Sequence, residues 1–223
     1  MIFDILTGGY TFVEILIVLA AFALSIIVAI SAHESAHAFA ALKAGDPSAK
    51  LAGRLTLNPV KHFEPMGLLC FVFAGIGWAK PVPVNPFNYR NFKKGNFWVS
   101  IAGILTNLSL AFIFSFGFFV VDKFGNWNNL FIFGLGNFFM YCMVLNISLA
   151  VFNLLPIFPL DGYNLLVSFT KPNNSFMRFM RERGMIVLLV VLFVIPLIFG
   201  VSIIQLVGSV VINGIMSFWG LFF

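Results

Sequence analysis

The amino-acid sequence predicts an all-α integral membrane protein, a polytopic bundle of about four to six transmembrane helices. Three observations carry that expectation. Of its 223 residues, 61% are hydrophobic and 9% charged, and the mean hydropathy of +1.02 is far from the balance of a soluble domain. Apolar runs long enough to cross a bilayer recur along the chain and leave no soluble portion over, so 1–223 reads as a single membrane-embedded domain. Lastly, the basic residues segregate. A pI near 9.4 comes from juxtamembrane Lys and Arg, which calls for no nucleic-acid partner.

The first helix is expected from about Phe12 to Leu42, the second from about Phe97 to Val121, the third from about Leu130 to Leu155 and a fourth from near Met185. No basic region precedes the first run and no cleavage site follows it, so it is expected to be retained rather than removed as a signal peptide. The stretch Pro65–Ala79 is apolar but short, and Gly67, Gly75 and Gly77 interrupt it. It reads as a re-entrant or interfacial segment between the first and second core helices. With that choice Lys43, Lys50, Arg54, Lys61 and every later Lys or Arg except Lys123 fall on one side. Twelve of the 13 basic residues together mark that side as cytoplasmic and put the N-terminus outside. From Met185 onward the chain has no charge, and Pro196, Gly200, Gly208 and Gly214 offer places to bend. One span plus an interfacial helix, or two spans, both fit. Cys70 and Cys142 lie far apart in apolar runs and read as small buried hydrophobes.

Chemistry enters at His33-Glu34-Ser35-Ala36-His37, near the end of the first helix. Imidazoles four residues apart lie one turn apart on one helix face and can close on one metal ion. The glutamate between them points elsewhere and is left to handle a proton. Two neutral His ligands with a carboxylate base is the arrangement of a zinc peptidase. Ionisable groups in an apolar helix are costly, so they point to function. His37 is six residues before Lys43, the next charge, which sets the site roughly 9 Å inside the charged boundary.

Such a site needs a third protein ligand and an open position for water. His62, beside Lys61 in a basic loop, reads as an exposed interfacial residue. The better candidate is Asp161, in Asn153-Leu-Leu-Pro156-Ile-Phe-Pro159-Leu160-Asp161-Gly162. Alone, Pro-Leu-Asp-Gly is an ordinary turn. Topology changes the reading, because the first and third helices run in the same direction and deliver His33, His37 and Asp161 to the same side. A full crossing at Pro65–Ala79 would reverse that.

On these residues the chain resembles the site-2 proteases, intramembrane zinc metalloproteases of peptidase family M50. The matches are His33-Glu34-x-x-His37, Asn153-x-x-Pro156-x-x-Pro159-Leu160-Asp161-Gly162, and Gly77-Trp78-Ala79-Lys80-Pro81-Val82-Pro83-Val84-Asn85-Pro86, which looks like the family's membrane-associated β-hairpin. The resemblance implies one Zn²⁺ per chain, held by His33, His37 and Asp161, with Glu34 as catalytic base and Asn153 as a polar residue beside the site. In the second core helix the family carries Ala-Gly-Pro and an Asn three positions on. Here Ala102-Gly103-Ile104-Leu105-Thr106-Asn107 keeps Gly103 and Asn107 and replaces the proline, which removes a cause of kinking. Asn107 then reads either as a contact to substrate or metal ligand, or as an intramembrane amide bonded to a neighbouring helix. The second-to-third helix connection is only Asp122 to Asn129 and the tail is apolar, so the PDZ or CBS domains of some relatives are not expected here.

The expected activity is cleavage of membrane-anchored proteins or peptides within or near their transmembrane segments, at the cytoplasmic side of the plasma membrane. The lipid bilayer is the other partner, and oligomeric state is open. A metal or solute transporter is the alternative, but inverted repeats are not visible. A non-catalytic adaptor of the same fold would lack Glu34 or a ligand, and all four residues are intact.

Overall fold

A computed structural model describes residues 9–64, 66–67, 80–171 and 174–222. Its helices are α1 (Phe12–Ala44), α2 (Phe92–Phe124), α3 (Leu130–Leu154), the short α4 (Asp161–Val167), α5 (Ser175–Phe199) and α6 (Ile203–Gly220), with single turns such as Ser48–Leu51 between them. All but α4 and the single turns, five helices in all, are long and apolar enough to cross a membrane. The protein is therefore a polytopic helical membrane protein, and no β-strand forms among the described residues. Residues 65 and 68–79, with most of the expected re-entrant segment and the start of the expected hairpin, lie outside the described residues. So does Cys70.

Side chains set the helix ends. Thr11 and Glu14 form a reciprocal capping box at the start of α1. Asn91 accepts the Lys94 N–H at the start of α2, and Asn129 accepts the Phe131 and Ile132 N–H groups at the start of α3. These caps explain two departures from expectation. α2 begins at Phe92 rather than Phe97, because Asn91 caps it and Lys93 and Lys94 remain exposed. α5 begins at Ser175 rather than Met185, because Asn174 caps a basic amphipathic segment with Met177, Met180, Gly184 and Leu188 facing inward. An apolar-run reading misses both, since a cap and a snorkelling cation extend a helix past the hydrocarbon. The tail takes the two-helix form: a π turn at Val190–Val194 precedes Pro196, and α6 restarts after Gly200 with its own Ser202–Gln205 capping box.

α1, α2 and α3 pack against one another around small and polar residues. Ser25, Asn107, Ala111, Ser115, Cys142 and Asn146 are all fully buried. Ser25 donates to the Phe138 carbonyl at 3.2 Å, and Cys142 donates to Ser25 at 3.3 Å, tying α1 to α3. α6 lies against Ala111 of α2 and Met143, Ile147 and Val151 of α3. Large apolar side chains cover the outside of the bundle, as a hydrocarbon solvent requires. The C-terminal ends of α1 and α3 meet the N-terminal end of α2 at one end of the bundle.

Candidate metal centre

That end is built by close approaches. Gly45 closes α1 in the left-handed conformation (φ 114°), and a Cβ there would sit 2.9 Å from the Asn88 carbonyl oxygen. Asp46 follows, fully buried. It accepts the Asn85 N–H at 2.6 Å, the Asn88 amide at 2.8 Å and both donors of Ser48. Burial alone would raise the Asp46 carboxyl, but these donors hold it below the ordinary carboxylate range. The result is a bracket that lays the irregular segment Lys80–Val84 over the end of α1, where Val82 packs on Ala38 and its N–H meets Glu34.

His33 and His37 are buried one turn apart on α1. His33 donates from Nδ1 to Asn107 Oδ1 of α2 at 2.5 Å, and His37 donates from Nδ1 to the Val99 carbonyl at 2.7 Å. Each ring is thereby fixed as the tautomer whose Nε2 carries a lone pair. The two Nε2 atoms are 3.0 Å apart. Gly103 permits this, because a Cβ at that position would lie 2.5 Å from His33 Cε1 and 2.6 Å from His37 Nε2.

Asp161 arrives from the turn after α3. A Cβ at Gly162 would lie 2.3 Å from the Leu154 carbonyl oxygen, so only glycine lets α4 start this close beneath α3. Asn96 of α2 anchors α4 by donating to the Asn164 carbonyl and to Ser168. Asp161 Oδ2 then lies 3.2 Å from His33 Nε2 and 3.1 Å from His37 Nε2. With both imidazoles neutral, their Nε2 lone pairs and Asp161 Oδ2 converge, and Asp161 Oδ2 is buried without a hydrogen-bond partner. All three ligand atoms lie within 4.8 Å of one another. A divalent cation satisfies this set, and two imidazoles with one carboxylate suit zinc.

The group borders a cavity of about 370 Å³. Glu34, Asn153 and Pro159 line it together with His33, His37 and Asp161, and Pro81, Val82 and Val84 contribute to its wall. The Val82 N–H donates to Glu34 Oε2 at 3.1 Å. The residues singled out from the sequence thus come together. Asn107 realises both of its readings at once: it holds His33 and also donates to Asn146 Oδ1 of α3 at 2.7 Å. Asn153 lines the cavity while its amide donates to the Leu149 carbonyl.

His62 is a correction. It is fully buried rather than exposed. The Arg54 guanidinium donates to the Lys61 carbonyl, and Lys80 N–H donates to the His62 carbonyl at 2.9 Å, folding the loop inward. The ring Nε2 donates to the Thr56 carbonyl at 2.7 Å, and His62 takes no part in the metal group. Sequence reasoning missed Asn96 and the Val99 carbonyl. A polar residue at the edge of the apolar run, one turn before Ser100 and two before Gly103, was the available signal for Asn96. A backbone carbonyl leaves none.

The model for peptidase family M50 matches residues 125–197, a stretch that contains Asp161. A Bacillus subtilis protein named "Putative zinc metalloprotease YwhC" is 41% identical over 175 residues, covering 78% of this chain and 80% of that protein. Two proteins named "Putative zinc metalloprotease Rip2" are also similar. The one from Mycolicibacterium smegmatis is 31% identical over 151 residues (64% of this chain, 54% of that protein), and the one from Mycobacterium tuberculosis 29% over 183 residues (78% and 66%). No solved structure matches.

Proposed function

The chain belongs to peptidase family M50, and we propose that it is a zinc endopeptidase cutting membrane-anchored proteins within or near their transmembrane segments. The observation that carries this reading is the convergence of His33 Nε2, His37 Nε2 and the buried Asp161 Oδ2 on a cavity that the Glu34 carboxylate also lines. His33, His37 and Asp161 would hold one zinc ion. When bound, zinc lowers the pKa of water toward about 7 and polarises a carbonyl. Glu34 takes the proton of the attacking water and returns it to the leaving amine. The Val82 N–H holds Oε2 of that carboxylate, which leaves its other oxygen for the water. Asn107 and the Val99 carbonyl keep both imidazoles in the liganding tautomer.

A transmembrane helix hides its carbonyls in its own hydrogen bonds, so substrate must be locally unwound to react. The irregular segment beside the cavity suits an unwound strand. Pro81 and Pro83 have no N–H and the Val82 N–H is engaged by Glu34, so Val84 is the N–H donor that segment offers. Binding there would rely on its carbonyls. The entire chain would act as one membrane-embedded domain, with the site toward the cytoplasmic face of the plasma membrane, an orientation supported by the 12 of 13 basic residues assigned to that side.

The test is Glu34→Gln in protein reconstituted with a transmembrane reporter. Cleavage should vanish while bound zinc stays near one per chain, because the amide cannot accept the water's proton. Near-normal turnover in Glu34→Gln would end the reading.

A further inference from the structure

A second hollow of about 560 Å³ lies on the other side of the α1–α2 seam from the metal group, and the proposed peptidase chemistry does not use it. Its floor is made of small residues, Ala36, Ala40 and Ala44 of α1 and Gly95 and Ala102 of α2. Phe39, Trp98 and Leu105, all exposed, form its apolar walls. The walls run down α2 from Lys94 to Leu105, eleven residues or about 16 Å along the axis. At the mouth stand Lys43, Arg90 and Lys94, with Asn91 beside them.

Those three cations come from two chain segments that the Arg90 N–H joins, by donating to the Ala44 carbonyl at 2.9 Å. No carboxylate lines the hollow, and none pairs with Lys43, Arg90 or Lys94 among the described residues. Lys43 instead lies over the Phe39 ring, 5.5 Å from its centroid. Trp98 sits one turn below Lys94, the level at which an indole prefers the boundary between headgroups and hydrocarbon. The hollow thus has a cationic mouth, an interfacial aromatic and an apolar trough, in that order along α2.

We propose that this groove seats one anionic glycerophospholipid, its phosphate among Lys43, Arg90 and Lys94 and an acyl chain in the trough between Phe39 and Leu105. Charge complementarity selects the headgroup: three unpaired cations attract an anion and offer a zwitterionic lipid less. The trough selects an amphiphile over a free anion, since inorganic phosphate would leave its apolar length uncovered. Small residues on the floor let the chain lie against both helix backbones.

Native mass spectrometry of the full-length protein reads the proposal directly. Delipidated protein is titrated with phosphatidylglycerol and with phosphatidylcholine of the same chain length. Wild type should hold the anionic lipid at least about tenfold tighter. The triple variant Lys43→Gln, Arg90→Gln, Lys94→Gln should lose that preference. Ala102→Phe, which fills the trough and leaves the cations in place, should weaken both lipids. Zinc content reports folding in every case, and the single variants Lys43→Gln and Lys94→Gln, expected to lose part of the preference, carry the test if the triple variant does not fold. Equal affinity for the two lipids in wild type overturns the proposal. So does an unchanged preference in the folded charge variants, unchanged binding in Ala102→Phe, or displacement by millimolar inorganic phosphate. A wild-type protein that gives dimers instead of lipid adducts would assign the seam to a second copy.

Discussion

The end of the bundle that holds His33, His37 and Asp161 and the apolar tail α5–α6 are built on different principles. At the metal end, polar atoms are fixed by named partners on other elements: Asn107 and Val99 on the imidazoles, Asn96 on α4, Val82 on Glu34. In the tail, α6 rests on Ala111, Met143 and Ile147 and on the rings of Phe112 and Phe116, and among the described residues a side-chain hydrogen bond joins it to the rest, from Trp219 Nε1 to Ser115 at 2.8 Å. Dispersion against another helix differs little from dispersion against lipid, so apolar packing positions α6 loosely. Directional bonds position the ligands to within a fraction of an ångström. The same kind of substitution should therefore have opposite consequences in the two regions.

The largest effect is expected from Asp161→Ala. It would remove one of the three proposed protein ligands, and metal analysis of the purified protein should fall from about one zinc per chain to near none. Full zinc in that variant would remove Asp161 from the ligand set and break the contrast at its strong end.

A glycine-to-alanine pair sharpens the comparison. Gly103→Ala places a methyl 2.5 Å from one imidazole and 2.6 Å from the other, and neither ring can retreat without breaking its bond to Asn107 or Val99. Activity should drop about a hundredfold, the scale set by an ångström of misplacement. Gly214→Ala in α6 meets nothing within 4 Å. It should leave activity unchanged and tighten the helix slightly. Equal effects in the two variants would show that the metal end tolerates displacement after all.

Asn107→Leu comes next. It leaves all three ligands in place and removes the acceptor that fixes the His33 tautomer, so zinc affinity, read by competition with a chelator, should weaken by about 10–100-fold. Asn107→Asp keeps the acceptor for the imidazole while setting a carboxylate against Asn146 Oδ1 and the Ala29 carbonyl, so it should recover zinc affinity and lower unfolding resistance. A purely interhelical role would instead lower unfolding resistance in both variants and leave affinity alone.

The grouping of His33, His37 and Asp161 was legible in the sequence because helical periodicity and the count of crossings are both one-dimensional. A spacing of four puts His33 and His37 together, and an even number of crossings between α1 and the end of α3 returns Asp161 to them. What holds the ligands was less visible. The Val99 carbonyl has no letter of its own, and Gly103 and Gly162 show their purpose only when the neighbour that a Cβ would strike is known. His62 was misjudged for a related reason: Lys61 beside it does face outward, but Arg54 and Lys80 turn the backbone so that the imidazole points in. The caps Asn91 and Asn174 went unread, and apolar length alone placed the starts of α2 and α5 too late.

The smallest effect belongs to the tail, with Trp219→Phe. The Trp219 ring packs 4.9 Å from the Phe112 ring and 4.8 Å from the Phe116 ring, and a phenyl group keeps much of that contact. What is lost is the Nε1–H bond to Ser115. That loss strands nothing, because the Ser115 hydroxyl goes on donating to the Phe112 carbonyl at 2.6 Å. An interhelical bond of this kind in a membrane is worth about 0.6 kcal/mol, and unfolding in mixed micelles should shift by no more than that. Zinc content and cleavage should not move. A fall in cleavage with zinc intact would mean that α6 guards the path of the substrate, and the tail could then no longer be treated as the loosely held half of the molecule.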